Sequence, residues 1–110
     1  MQILFSDFRK RIVKVKVNNS DDLWYISQII QPGDALSGTT TRKIALGSED
    51  EKKKYSIRQV YLKLSVESFE LSSSLRVSGQ IIEGPSDIPH GAYHTFNIDI
   101  GTEFTLEKNE

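Results

Sequence analysis

The segment RQVYLKLSVESF, residues 58–69, alternates almost without interruption: Val60, Leu62, Leu64 and Val66 fall on one side, Tyr61, Lys63, Ser65 and Glu67 on the other. A period of two sends successive side chains to opposite faces of a pleated strand, so this stretch reads as a half-buried strand, long enough to bend between two sheets. The same period recurs in RIVKVKV, where Val13, Val15 and Val17 oppose Lys14 and Lys16, and in LRVSGQIIEG through Leu75, Val77 and Ile81. Gly79 replaces an apolar residue in that run and marks a kink or bulge. QILF before the polar turn SDFRK, the threonine-rich DALSGTTTRKI with its Gly38, YHTFNIDI and EFTL supply the remaining strands.

The period changes once. NNSDDLWYISQIIQPGD opens on residues that accept hydrogen bonds from free N–H groups, and Asp21 and Asp22 place negative charge at the positive end of a helix dipole. Leu23, Ile26, Ile29 and Ile30 follow at helical spacing, and Pro32-Gly33 stops the run near Gln31. A helix of about three turns is marginal alone, so its apolar stripe has to pack onto the sheet. Trp24 and Tyr25 flank the stripe and are expected to cover the core rather than to serve as a base-stacking platform, which would make Trp24→Ala costly. Six or seven short strands with one short α-helix in 110 residues predict a mainly β protein, a small closed or nearly closed β-barrel of one domain.

Composition excludes several chemistries. The chain has no cysteine, hence no disulfide and no thiolate metal site. Its apolar runs are far shorter than the roughly 20 residues that cross a bilayer. A soluble, cytoplasmic protein without a membrane partner is expected. No Gly-x-Ser-x-Gly elbow and no phosphate-binding glycine loop occurs. Both histidines lie in HGAYHTFNI, but His90 precedes a turn glycine while His94 shares a strand face with Phe96 and Ile98, so they do not converge as metal ligands. His94 is expected to be partly buried and bonded to a backbone or tyrosine partner. The carboxylates Asp21-Asp22 and Glu49-Asp50-Glu51 could hold a divalent ion in principle, but capping accounts for the first pair and solvation for the second. Neither a catalytic nor a metal residue is assigned, and no cofactor is expected.

Charge is uneven. Residues 1–63 carry 12 Lys and Arg against 7 Asp and Glu, while residues 64–110 carry 2 against 8. The excess cations gather around ALGSEDEKKKYS, which has neither period and reads as a projecting hairpin loop. Arg42 and Lys43 precede it, Lys52, Lys53 and Lys54 end it, and Arg58 follows. If the flanking strands pair, these six residues meet near one tip, where cations can track phosphates by releasing condensed counterions. A merely solvated loop is the alternative. Lys14 and Lys16 add a basic strand face nearby, or merely a soluble one. Tyr55 is the only aromatic residue among the loop cations, so base stacking and sequence-specific readout are not expected.

Three stretches, DDLWYISQIIQPGD with TTTRKI, then LRVSGQIIEGPSDIPHGAYHTFNIDIG, then FTLEK, resemble the N-terminal domain of the Pelota family, in its archaeal form above all, over nearly the whole chain. The resemblance implies an Sm-like (SH3-like) barrel with a short helix. It also implies a role in rescuing ribosomes stalled on messenger RNA, in no-go decay, with a GTPase related to elongation factor 1A. In that family the N-terminal domain enters the ribosomal A site, and the loop between its third and fourth strands, here near Lys43 to Tyr55, reaches toward ribosomal and messenger RNA. Central and C-terminal domains follow in the family and carry the GTPase-docking surfaces, so residues 1–110 are expected to form the N-terminal domain alone, as a monomer. A divalent-metal-dependent endonuclease activity has been proposed for some members, but the family's Pro-Glu before the helix is Val17-Asn18 here. A generic Sm-like adaptor is a further alternative. Class 1 release factors share the overall plan but read stop codons through Asn-Ile-Lys-Ser and Tyr-x-Cys elements that this chain lacks.

Overall fold

The computed structural model describes residues 1–46, 54–86 and 88–109. The alternating runs are strands β1 (Gln2–Asp7), β2 (Ile12–Lys16), β3 (Ala35–Leu46), β4 (Lys54–Leu71), β5 (Leu75–Glu83), β6 (Tyr93–Ile98) and β7 (Glu103–Glu107), with α1 (Ser20–Ile29) between β2 and β3. They form one antiparallel sheet in the order β1-β2-β7-β3-β4-β5-β6. β4 does what its long alternation requires: residues 54–65 pair with β3, residues 63–71 with β5, and the strand changes partner across Lys63–Ser65. Val60, Leu62, Leu64 and Val66 are buried on its inner face.

The inner faces of β2, β4, β5, β6 and β7 share one core, which includes Val15, Leu62, Val77, Phe96 and Phe104. Only a curled sheet can bring these strands around a common centre. The barrel is mainly β, as its patterning predicts, but hydrogen bonds do not close it: β1 and β6 remain edges. β1 is exposed through Ser6, with Ile3 at 64% and Phe5 at 55%. Of the closed or nearly closed barrel expected, full closure is not found among the described residues.

The helix is capped as its sequence predicts. Asn19 Oδ1 accepts from the Asp22 N–H at 3.1 Å, and Asp22 Oδ2 accepts from the N–H groups of Asn18 and Asn19 at 2.8 and 3.2 Å. The Met1 ammonium lies 2.9 Å from the same oxygen. The ammonium and then the Asn18 N–H hold the Asp22 carboxyl below its ordinary pKa. Leu23, Ile26 and Ile30 are buried, whereas Ile29 is half exposed. Trp24 and Tyr25 turn outward at 53% and 54% exposure, their rings meeting edge to face at 5.3 Å. They do not cover the core, because the buried stripe of Leu23 and Ile26 is flanked by Asp22 and Ser27, and the two rings fall outside it. A loss of a few kcal/mol on Trp24→Ala belongs to a buried ring and is no longer expected.

Past the helix, Gly33 adopts φ 94° and lets the chain fold back onto β4, with its N–H donating to Val66 O at 2.9 Å. Asp34, only 1% exposed, then collects the Gln31 N–H at 2.9 Å, the Asn109 N–H at 3.0 Å and the Lys108 ammonium at 2.6 Å. Burial raises the pKa of this carboxyl, but those donors outweigh it and the net displacement is downward. Lys108 also donates to Ile29 O at 2.6 Å, placing a cation at the negative end of the helix.

Gly79 confirms its sequence signal. It lies opposite Val66 at the point where the β4–β5 register shifts between Val66 and Ser68. A Cβ here would fall on the carbonyl oxygen of Ser65, which is backbone and cannot swing aside. Gly79→Ala is therefore expected to cost about 3 kcal/mol through overpacking. Urea denaturation checks this, and an unchanged midpoint would contradict the close approach.

Candidate nucleic-acid interface

Beyond the core, β3 and β4 leave the body as a two-stranded arm. β7 pairs with β3 only at Ala35–Ser37 and β5 pairs with β4 only from Lys63 onward, so residues 39–46 and 54–61 pair with each other alone. The two strands pair as expected, with the register running out to Leu46 opposite Lys54. A two-stranded ribbon is marginal by itself and needs support from the body.

The six predicted residues divide into three groups. Arg42 and Arg58 are directly opposed in the register, so both belong to the inner face that carries Leu36, Leu62 and Leu64 farther down. The backbones of Lys43 and Lys54 lie in β3 and β4, opposite Ile57 and Leu46 respectively. Lys52 and Lys53 fall outside the described residues. Lys14, by contrast, lies on the outer face. It lines a groove of about 530 Å³ together with Thr39, Gln59 and Tyr61, so its charge is across the sheet from the arginine pair. Lys16 faces Glu103 in the register with β7. Lys63, also outward, pairs with Glu107 at 2.9 Å and more loosely with Glu83 at 3.9 Å. The hydrogen bond to Glu107 raises its pKa more than burial lowers it.

His94 makes contacts that sequence reading missed. Its Nδ1 lies 3.1 Å from Arg42 Nη1, and its Nε2 lies 3.0 Å from Thr40 Oγ1. Arg42 Nη1 also donates to Tyr93 O at 3.4 Å. The partners are therefore a threonine and an arginine on β3, and the expected backbone or tyrosine partner is not found among the described residues. A guanidinium can only donate, so Nδ1 is the acceptor and the proton resides on Nε2. The ring of Phe96 meets the imidazole edge to face at 5.5 Å. Burial first, and the Arg42 cation second, hold the His94 pKa below the ordinary histidine value. These bonds cross the open side of the curled sheet and brace the base of the arm against edge strand β6. Only the fold brings β3 to β6, so no local pattern marks the pair.

Among the described residues, no group of three or more His, Cys, Asp or Glu is placed to hold a metal ion. Asp22 serves as a cap, and His90 lies exposed in the turn before β6. No helix among the described residues is long and apolar enough to cross a membrane.

The fold and site together define a small Sm-like β-barrel domain that presents a basic two-stranded arm. The sequence profile of the Pelota N-terminal domain matches residues 1–110, and the chain belongs to that family. It is 40% identical to the pelota homolog of Methanococcus vannielii over 113 aligned residues and 36% identical to that of Sulfurisphaera tokodaii, covering 99% of this chain and 32% of each relative. The chain thus spans about a third of the length of the relatives it matches. Among solved structures, a ribosome-bound archaeal Pelota described with ABCE1 superposes with a TM-score of 0.80 at 34% identity, over 98% of this chain and 32% of that one. Archaeoglobus fulgidus Pelota gives 0.71 at 30%, over 100% and 29%. Saccharomyces cerevisiae Dom34, at 22% identity and 0.73, over 98% and 29%, shares the fold.

The depressed pKa of His94 sets a pH dependence. The unfolded chain takes up the proton near pH 6.5, before the folded one does, so stability is complete above about pH 6.5 and declines as pH falls through the folded value. Thermal melting between pH 8 and pH 5 should show this decline in the wild type and lose most of it in His94→Phe. An identical decline in the variant would exclude His94 as its source.

Proposed function

We propose that this chain is the RNA-contacting N-terminal domain of a Pelota-like factor that recognises stalled ribosomes in the A site and promotes their rescue in no-go decay. The observation that carries this reading is the basic arm: Arg42 and Arg58 opposed on a two-stranded projection, in a chain 34% identical to a Pelota described as ribosome-bound. The domain acts by shape and charge. Two guanidiniums, supplemented by Lys43, Lys52, Lys53 and Lys54, suit the sugar-phosphate backbone of ribosomal and messenger RNA, which is contacted without reading bases. The partner GTPase related to elongation factor 1A engages regions of the longer relatives beyond the length matched here. The ribosome places the work in the cytoplasm.

Crosslinking from Lys43 and Tyr55 in the full-length factor on a stalled ribosome should capture small-subunit and messenger RNA. Replacing Lys52, Lys53 and Lys54 by alanine is expected to leave the melting temperature nearly unchanged, since surface substitutions usually alter stability by less than about 0.5 kcal/mol. Ribosome affinity should fall, and the slope of log K against log salt should flatten by roughly 0.7 to 0.9 for each phosphate no longer neutralised. Equal affinity and an equal slope would refute the assignment of the arm.

A further inference from the structure

We propose that the outer-face groove at the foot of the arm is a seat for one nucleotide of single-stranded RNA. The base stacks on Tyr61, the phosphate meets Lys14 and the ribose 2′-OH meets Glu103. This rests on the RNA-contacting reading above and adds to it a site on the face of the sheet opposite Arg42.

The groove is made by a fork between strands. β3 pairs with β7 only as far as Ser37, while β7 stays with β2 out to Glu103 opposite Lys16. Beyond Ser37 the two strands part, and the space of about 530 Å³ opens between them, in the size range of small-ligand sites.

Each wall suits a different part of a ribonucleotide. On the β4 side, Tyr61 is 58% exposed and its ring meets no other ring among the described residues. Such a phenol leaves a π face for a base, and it stacks without choosing among bases because every base has one. Thr39, opposite Tyr61 in the register, and Gln59 offer a hydroxyl and an amide to the polar edge of whichever base enters.

On the β2 side, Lys14 is exposed and forms no ion pair among the described residues, whereas Lys63 and Lys108 are taken up by Glu107 and Asp34. Its charge is therefore available to a phosphate, whose contact releases condensed counterions. Glu103 lines the same groove two positions along β7 from Thr105, the residue opposite Lys14. A carboxylate repels a phosphate and can only accept a hydrogen bond, so the groove is not a plain anion site. The 2′-OH supplies the donor that Glu103 requires, and deoxyribose lacks it.

The test is binding of the chain to fluorescein-labelled oligouridylate RNA at low salt, with folding followed by thermal melting. Tyr61→Val, which keeps a strand-forming side chain and removes the ring, is expected to weaken binding about tenfold, the scale of one lost base stack. Tyr61→Phe keeps the ring and should bind within about twofold of wild type. Lys14→Gln should weaken binding about threefold and flatten the slope of log K against log salt by roughly 0.7. Oligodeoxyuridylate should bind about threefold more weakly than the RNA, and Glu103→Ala should erase that difference, which a merely structural role for Glu103 would not do. If Tyr61→Val fails to fold, Lys14→Gln and Glu103→Ala, both at exposed positions, decide the matter. Wild-type affinity in folded Tyr61→Val or in Lys14→Gln would overturn the seat, as would a preference for RNA that is absent or that survives Glu103→Ala. Each of these results leaves the RNA-contacting reading in place, since that reading stands on the arm lysines. Absence of salt-sensitive binding by the wild-type chain would overturn both.

Discussion

Burial of one face of β4 against two successive partners is the interaction on which the rest of this structure depends. Val60, Leu62, Leu64 and Val66 lie inward without a break, while the backbone pairs with β3 along one half and β5 along the other. A flat sheet would leave that inner face half covered. The bend between the two halves, aided by the register shift opposite Gly79, turns the sheet around a shared core. One end of the same strand continues past the core as half of the arm, so the element that organises the hydrophobic interior also projects the basic residues.

Polar side-chain contacts supplement the backbone hydrogen bonds of the open sheet at two places. Asp34 gathers Gln31, Lys108 and Asn109, fastening the chain after β7 to the end of the helix. Losing one partner of so buried a pair leaves an uncompensated charge, typically a loss of several kcal/mol. On the arm side, Thr40, Arg42 and His94 link β3 to β6 across the gap. Both clusters pin elements far apart in the chain, and both are charge-assisted or depend on a particular protonation state. The depressed pKa values of Asp34 and His94 are consequences of that geometry.

Features whose cause is local were legible in the sequence. The β runs at residues 12–16, 58–71, 75–83 and 93–98, the capped helix and the special role of Gly79 all follow from side-chain period, capping chemistry or a missing Cβ. The pairing of β3 with β4 that opposes Arg42 to Arg58 was legible too, because an antiparallel register needs only two adjacent strands. Trp24 and Tyr25 were misplaced because a helix of ten residues has room to bury only one stripe, and Asp22 and Ser27, not the rings, flank Leu23 and Ile26 there. Lys14 was correctly set on an outward face, but which side of the sheet the arm would share with it could not be read from alternation.

The order of residues alone determined a small β domain, where its helix starts and stops, and which cations would flank one hairpin, because period, capping and turn chemistry act over a few neighbouring positions. The fold decided which face those cations occupy, that β1 stays an open edge, and that His94 meets Arg42 some fifty residues away in the chain. Those outcomes arise from sheet curvature and from packing between strands not adjacent in the sheet, a balance of burial over the whole molecule that no single segment encodes.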